Sequence, residues 1–475
     1  MEYYLAIDIG ASSGRHIAGW LAEGKLHTKE LYRFENRLVQ KSGRLFWDIE
    51  ALYAEVLKGL ERCNTLNMIP VSVGIDTWAV DFILLDSAGA RLGEAISYRD
   101  ARTEGMDAAV ERALPFPELY RRTGIQKQPF NTIYQLMALK KQEPALLERA
   151  AAFLMIPDYL HYRLTGIISQ EYTNASTTAL LNVQTRDWDT DIIETLGFPA
   201  HLFQPLKRAG QKLGVFSAAV RAQLGFSATV ILPATHDTGS AFVAVPAVNA
   251  AESVYLSSGT WSLLGIESAS PLLTDAARDG NFTNEGAYQS KYRFLKNIMG
   301  LWMIQAVRHE LESPYSFSAL AEMAQEATSS ALFAVNDPRF LAPQSMRAAI
   351  QDICRETGQQ VPKSIGEIML SIYRSLAACY QQGLAALENI TGKTFRALHI
   401  VGGGSKDAYL NELTAHATGL PVHAGPVEAT VIGNLCVQMI SSGVLPDLET
   451  ARKIIAQSFD LWRFPSDGSL RKDCF

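Results

Sequence analysis

Cysteine is scarce and scattered in this chain: Cys63, Cys354, Cys379, Cys436 and Cys474 are the only five in 475 residues, with no C-x-x-C pair. No histidine stands beside them at zinc-ligand spacing. That excludes a disulfide framework and a structural zinc module, and it predicts a reducing, cytoplasmic compartment. Long apolar runs are missing too, none reaching the roughly 20 residues that a membrane-spanning helix needs. Nor does the N-terminus show the basic segment, apolar core and small-residue cleavage site of a secretory leader. The sequons at Asn174, Asn281 and Asn389 therefore read as chance occurrences. An excess of positive charge is also lacking, since 43 Lys and Arg face 49 Asp and Glu for a net charge of -6. Nucleic acid and acidic membranes gain no general attraction from such a balance, so any anion must be bound locally. With 48% hydrophobic and 19% charged residues the chain is globular rather than disordered. Its length suggests two large domains or about three of ordinary size. Oligomeric state stays open, a monomer included.

What is present begins at Tyr4 with "YLAIDIGASSGR". A short apolar strand delivers an aspartate and then a loop of glycine and serine closing on Arg15. Backbone amides and hydroxyls in such a loop can surround phosphate oxygens. Walker A does not fit, because Gly14 is followed by Arg15 rather than Lys-Ser/Thr, and the Gly10 to Gly14 interval is wrong for a dinucleotide fingerprint. Asp8 beside a phosphate loop makes sense if a cation such as Mg²⁺ lies between them. A tight hairpin whose glycines supply turn geometry, with Asp8 capping an amide, explains the same residues. Both readings stand on this stretch alone.

Strand-like and helical runs alternate along the chain, which points to an α/β protein. Ile49, Leu52, Tyr53, Val56, Leu57 and Leu60 recur at helical spacing behind Asp48, a ready N-cap. Another amphipathic helix is predicted to carry Ile365, Ile368, Met369, Ile372, Leu376, Cys379 and Leu387 on its apolar face. "YLSSGTWSLLGI" repeats the layout of the opening hairpin about half a chain later, which suggests internal duplication. We place the division near Pro246, giving domains 1–245 and 246–475. "HIVGGGS" then runs from a strand through three glycines toward a helix.

Taken together, "AIDIGASSGR", "YLSSGTWSLLGI", "LHIVGGGSKDAYLNELTA", "PDYLHYRLTG" and "YTNASTTALL" occur in one order over nearly the whole length. In this the chain resembles the FGGY family of carbohydrate kinases. The resemblance implies two actin-like (ribonuclease H-like) ATPase domains with a cleft between them, closing on the substrates. It further implies transfer of the ATP γ-phosphoryl group to the primary hydroxyl of L-rhamnulose in L-rhamnose catabolism. L-fuculose or another ketose is the nearest alternative, and a non-catalytic actin-fold ATP-binding protein is the alternative of another class.

By the same resemblance Asp237 in "THDTGSA" is the base, and Ala11, Ser12, Ser13, Gly14 and Arg15 cover the ATP phosphates. Thr260, Gln305 and Gly403 are further ATP contacts. Trp78, Ala79, Asp81, His236, Asp237, Thr238 and Asn297 face the sugar, and Asp8 holds Mg²⁺. Each has a plainer reading on residue type alone: helix N-capping for Asp237, core packing for Trp78, a turn for Asn297, a structural ring for His236, a surface charge for Arg15. Ala79 departs from the resemblance, which expects glycine there, and its methyl group narrows a close backbone approach.

Overall fold

The structure is a computed structural model that describes residues 1–247, 249–312, 315–466 and 471–472, so Cys474 lies outside the described residues. Two compact units are formed. One comprises Met1–Ala244, Glu267–Phe294 and Ala429–Ser458, the other Val245–Ile266, Leu295–Glu428 and Phe459–Phe475. The first break falls next to Pro246, and the chain then returns twice to the first unit, which a linear division into 1–245 and 246–475 leaves out.

The first unit is built on β1 (Tyr3–Ile9), β2 (Ser13–Ala22), β3 (Lys25–Glu35), β4 (Pro70–Thr77), β5 (Lys212–Val215) and β6 (Thr229–Ile231). They lie in the order β5-β6-β4-β1-β2-β3. β1 pairs antiparallel with β2 and parallel with β4, β4 pairs parallel with β6, and β6 antiparallel with β5. β1 is buried from Tyr4 to Ile9 without polar alternation, as a strand covered on both faces should be. Leu5, Ile7 and Ile9 enter one apolar core with Leu52, Val56 and Leu60 of the helix Ile49–Thr65. That helix starts as its sequence requires, the Asp48 carboxylate accepting from Ala51 N at 3.0 Å. Buried Asn174 cannot be a glycosylation acceptor.

The alternate face of β1 and β4 meets the returning helix Ala429–Ser441. There Gln438 Nε2 donates to Leu5 O (2.9 Å) and Asn434 Nδ2 to Gly74 O (3.1 Å). The same helix packs on Asp237–Val243 with Gly433 at the crossing, where an added Cβ would run into the Ser240 carbonyl. Gly433→Ala is therefore expected to destabilise the protein by about 1–3 kcal/mol through overpacking. Denaturant unfolding checks this, and a midpoint equal to the parent's would show that the two helices separate freely.

The second unit repeats the plan with β7 (Ser253–Ser258), β8 (Trp261–Ser268, its part to Ile266), β9 (Tyr292–Met299, its part from Leu295), β10 (Ala397–Val401), β11 (Val422–Ala424) and β12 (Trp462–Phe464). They are consecutive in the order β9-β8-β7-β10-β11-β12, with one further strand at each edge of the sheet. β7 pairs antiparallel with β8 and parallel with β10, β10 parallel with β11, and β11 antiparallel with β12. Each orientation matches its counterpart around β1, so the duplication suggested by the two Ser-Ser-Gly hairpins extends to strand order. The amphipathic helix predicted from Ile365 runs Ile365–Thr391, with a Ser364–Glu367 capping box and Gly392 in the left-handed region closing it.

Candidate active site

Three carboxylates meet at the carboxyl ends of neighbouring parallel strands in the first unit. Asp8 and Asp76 are register partners on β1 and β4. Thr77 then bridges His236 in parallel, its N–H donating to Thr235 O at 2.9 Å, which brings Asp237 alongside. Carboxyl ends of open α/β sheets are where such folds take ligands, because the strands stop there and the loops diverge. Burial first, then the Asp8 charge, push the Asp76 carboxyl well above its ordinary range, against a 2.6 Å hydrogen bond from Asn434 Nδ2 to its Oδ2. Its Oδ1 is buried with no hydrogen-bond partner. Asp237 is also raised, by burial first, with His236 opposing and Asp8 adding to the effect.

Asp237 is the first residue of its helix rather than the cap, which is His236 without a side-chain cap bond. One carboxylate oxygen, Oδ1, accepts from Thr238 N (2.5 Å) and Thr238 Oγ1 (3.1 Å) and lies 3.3 Å from His236 Nε2. Its side chain keeps 32% of its surface exposed, so the other oxygen can face a substrate. Asp8 is 6% exposed and its Oδ2 takes both Arg15 Nε (3.0 Å) and Nη2 (2.7 Å). Arg15 thus arrives at the base of the loop as the counter-charge of Asp8.

The loop itself is tied by its carbonyls. Asn36 donates from N to Ser12 O (3.0 Å) and from Nδ2 to Gly10 O (2.9 Å), while Gly10 N donates to Ser13 O (2.9 Å). Ala11 N and Ser12 N meet no backbone acceptor among the described residues, leaving donors for an anion. Gly14 has a different reason to be glycine: a Cβ there would enter the Phe34 ring.

Trp78 is 6% exposed and packs against Trp47, the rings tilted by 41° with centroids 4.3 Å apart. Asp81, expected as a sugar ligand, is instead turned inward and 1% exposed. Its Oδ2 accepts from Trp47 Nε1 (2.7 Å), Trp78 Nε1 (3.0 Å) and Tyr98 N (3.1 Å), its Oδ1 from Gln135 Nε2 (3.0 Å). With those partners Asp81 offers a substrate only the fixed orientation of Trp78. Ala79 is half-buried just before Val80, which takes a positive φ of 67°.

Within the second unit, Thr260 stands in the turn between β7 and β8, and its carbonyl accepts from Trp302 N at 3.1 Å. Gln305 lies on the helix Trp302–His309 that starts there. Gly402 and Gly404 are glycines for packing reasons, since a Cβ at either would press on Ser258. Gly403 is not: a Cβ there would meet nothing within 4 Å, which leaves its face open to a ligand. Asn297 on β9 is half-buried, with an Oδ1 that finds no hydrogen-bond partner.

Residues that the sequence reading did not assign complete the first unit's cluster. Asp76 could have been found, because "AIDIG" and "GIDTW" end their strands with the same Ile-Asp pair. Glu285 and Arg293, buried beside His236, carry no such signal apart from the short "NEG" around Glu285. Among the described residues no three His, Cys, Asp or Glu side chains form a metal-holding group. A divalent cation held by one or two carboxylates, water and phosphate oxygens needs none. The buried, unpartnered Asp76 Oδ1 beside Asp8 is a hard oxygen donor of the kind such a cation takes.

Comparison with known proteins follows this geometry. Residues 3–244 match the N-terminal domain model of the FGGY family of carbohydrate kinases, and residues 254–442 match its C-terminal domain model. A protein of Halalkalibacterium halodurans named rhamnulokinase is 49% identical over 466 residues, covering 98% of this chain and 99% of its own. A Bacillus subtilis protein of the same name is 45% identical, with coverage of 98% and 96%. Among solved structures, a xylulose kinase from Lactobacillus acidophilus superposes with a TM-score of 0.78 at 16% identity, covering 100% of this chain and 93% of its own. A glycerol kinase from Plasmodium falciparum, solved with ADP, gives 0.76 at 16% identity, with coverage of 97% and 94%. These two likenesses speak for the two-domain fold.

Proposed function

The chain belongs to the FGGY family of carbohydrate kinases, and from that premise we propose that it transfers the γ-phosphoryl group of ATP to the primary hydroxyl of L-rhamnulose. The products are L-rhamnulose 1-phosphate and ADP, a step of L-rhamnose catabolism in the cytoplasm. The observation that carries the choice of sugar is the likeness, close to half identical and nearly full-length, to proteins named rhamnulokinase. Asp237 gives the reaction a base: a half-exposed carboxylate with one oxygen held by protein donors and the other available.

Phosphoryl transfer asks little covalent chemistry of a protein and much positioning. In our reading Trp78, Ala79, His236, Thr238 and Asn297 orient the sugar so that its primary hydroxyl meets Asp237 Oδ2. Asp237 accepts the hydroxyl proton as the oxygen attacks phosphorus. The amides from Ala11 to Arg15 and Thr260 bind the phosphates, with Gln305 and Gly403 on the nucleotide. Asp8 and Asp76 are the residues that would hold a divalent cation, Mg²⁺ in our reading. Such a cation supplies charge neutralisation on the phosphate oxygens. Domains 1–245 and 246–475 would then divide base and first phosphate loop from second phosphate loop and adenosine motif.

A panel of L-rhamnulose, L-fuculose, other ketoses and polyols, assayed by ADP release with purified protein, tests the substrate. L-rhamnulose is expected to lead in kcat/KM by about tenfold or more, the discrimination that a site built around specific hydroxyls supplies. Equal or higher values for another sugar would reassign the substrate, and ATP binding without sugar-stimulated turnover would overturn the catalytic reading.

A further inference from the structure

Behind His236 lies a buried ion pair, Arg293 with Glu285, neither of which is among the residues proposed to bind sugar or nucleotide. Arg293 is fully buried, its Nη2 3.1 Å from Glu285 Oε2, and its Nε donates to Gly286 O at 3.0 Å. The guanidinium sits under the first turn of the helix that begins at Asp237, near enough that a Cβ on Gly239 would touch it at 3.7 Å. Arg293 Nη2 also lies 3.1 Å from His236 Nδ1 in hydrogen-bonding geometry. Glu285 Oε2 is 3.3 Å from the same Nδ1 but makes no aligned hydrogen bond.

A guanidinium has five donors and no acceptor, so the ring nitrogen it meets must be the acceptor. A neutral imidazole carries one donor and one acceptor nitrogen. With Nδ1 accepting, the proton is on Nε2, which lies 3.3 Å from Asp237 Oδ1. Two donors, Thr238 N and Thr238 Oγ1, already hold that oxygen, and the Nε2–H faces it beside them at 3.3 Å. Glu285 keeps the buried guanidinium in place: burial resists its own charge, yet the Arg293 charge beside it holds its carboxyl below the usual value. Asp237 faces Asp8 and Asp76 as well, and Arg293 feels Glu285, Asp237 and Glu171, so the guanidinium is a cation set among carboxylates behind the ring.

We propose that Arg293, anchored by Glu285, is a positioning residue that fixes His236 as its Nε2–H tautomer, so that His236 donates to Asp237 Oδ1 and Oδ2 is left to take the proton of the sugar hydroxyl. The proposal rests on Asp237 as the base. Without the guanidinium, Nδ1 is free to carry the proton, and a lone pair on Nε2 would then face the carboxylate and push it out of line.

Single removal of either charge strands the other in the core and threatens folding, so paired substitutions make the test. Glu285→Leu with Arg293→Met removes both charges and every donor to Nδ1. Glu285→Gln with Arg293→Met removes both charges but brings an amide donor to the side of Nδ1. With histidine-¹⁵N-labelled full-length protein, the Nε2–H signature of His236 should be lost in the first pair and return, at least in part, in the second. kcat should fall about 10–10²-fold in the first pair, the scale of a misdirected general base, with both KM values within about threefold, and should recover in the second. An unchanged tautomer in the folded Leu/Met pair overturns the proposal. So does parental kcat with an altered tautomer, or a lowered unfolding temperature as the only change. Failure of the base itself reads differently, as full turnover in Asp237→Asn.

Discussion

Asp237→Asn is expected to lower kcat by about 10²–10⁴, the usual contribution of a positioned general base, while sugar and ATP affinities by calorimetry stay near parental. The substitution keeps volume and keeps an oxygen able to accept from Thr238 N and Thr238 Oγ1, so the first turn of the helix should survive. What it removes is the lone pair that accepts the hydroxyl proton. The pH profile gives a second reading. Burial first, and the nearby Asp8 charge, raise the Asp237 carboxyl above its ordinary value, with His236 opposing. Only the ionised form is a base, so kcat/KM of the parent should fall as pH drops through that raised value, and the residual rate of the variant should lack this limb. Near-parental turnover with unchanged binding would remove Asp237 from the mechanism.

The residues that the sequence reveals and those it hides differ in a physical way. Asp8 near the end of β1, Asp237 opening a helix, Thr260 between β7 and β8 and Gly403 just past β10 lie where small and polar residues interrupt an apolar run, which makes them legible as candidates. The helix from Ile49 to Thr65 was legible for the same kind of reason, since one face repeats at helical spacing and Asp48 caps it. Asp81 shows the limit of such reading: a polar residue in a strand-rich stretch looks available, whereas two tryptophans, a backbone amide and a glutamine donate to its carboxylate. Only the three-dimensional approach of Trp47 and Gln135, 34 and 54 residues away, shows that. Arg293 was invisible for a related reason: its partners, Glu285 and His236, are long-range or separated by a turn, and its own strand reads as ordinary core. The return of Ala429–Ser441 to the first unit was hidden likewise, because a helix that packs on distant strands carries the same apolar pattern as one that packs nearby.

Asp8→Ala is expected to lower turnover by about 10²–10³, the cost of losing one charge-stabilising group at a phosphoryl-transfer site, and to move the Mg²⁺ titration to higher concentration. Sugar affinity should change far less, because Asp8 is not among the residues proposed to orient the sugar. Two causes could mimic a metal effect, and the geometry separates them. Asp8 Oδ2 is the partner of Arg15 Nε and Nη2, so its loss also removes that carboxylate from a guanidinium at the edge of the phosphate loop. Arg15→Ala, which frees Asp8 instead, should leave the metal midpoint nearly in place while weakening ATP. Asp76→Asn offers the converse: Asn434 Nδ2 can still donate to its carbonyl oxygen, yet the unpartnered second oxygen of the carboxylate is gone. If Asp8 and Asp76 share a cation, both of their variants should shift the Mg²⁺ midpoint in the same direction, and Arg15→Ala should not. A titration curve for Asp8→Ala that superimposes on the parent's would reduce Asp8 to a turn cap paired with Arg15, and would leave the cation to phosphate oxygens and water alone.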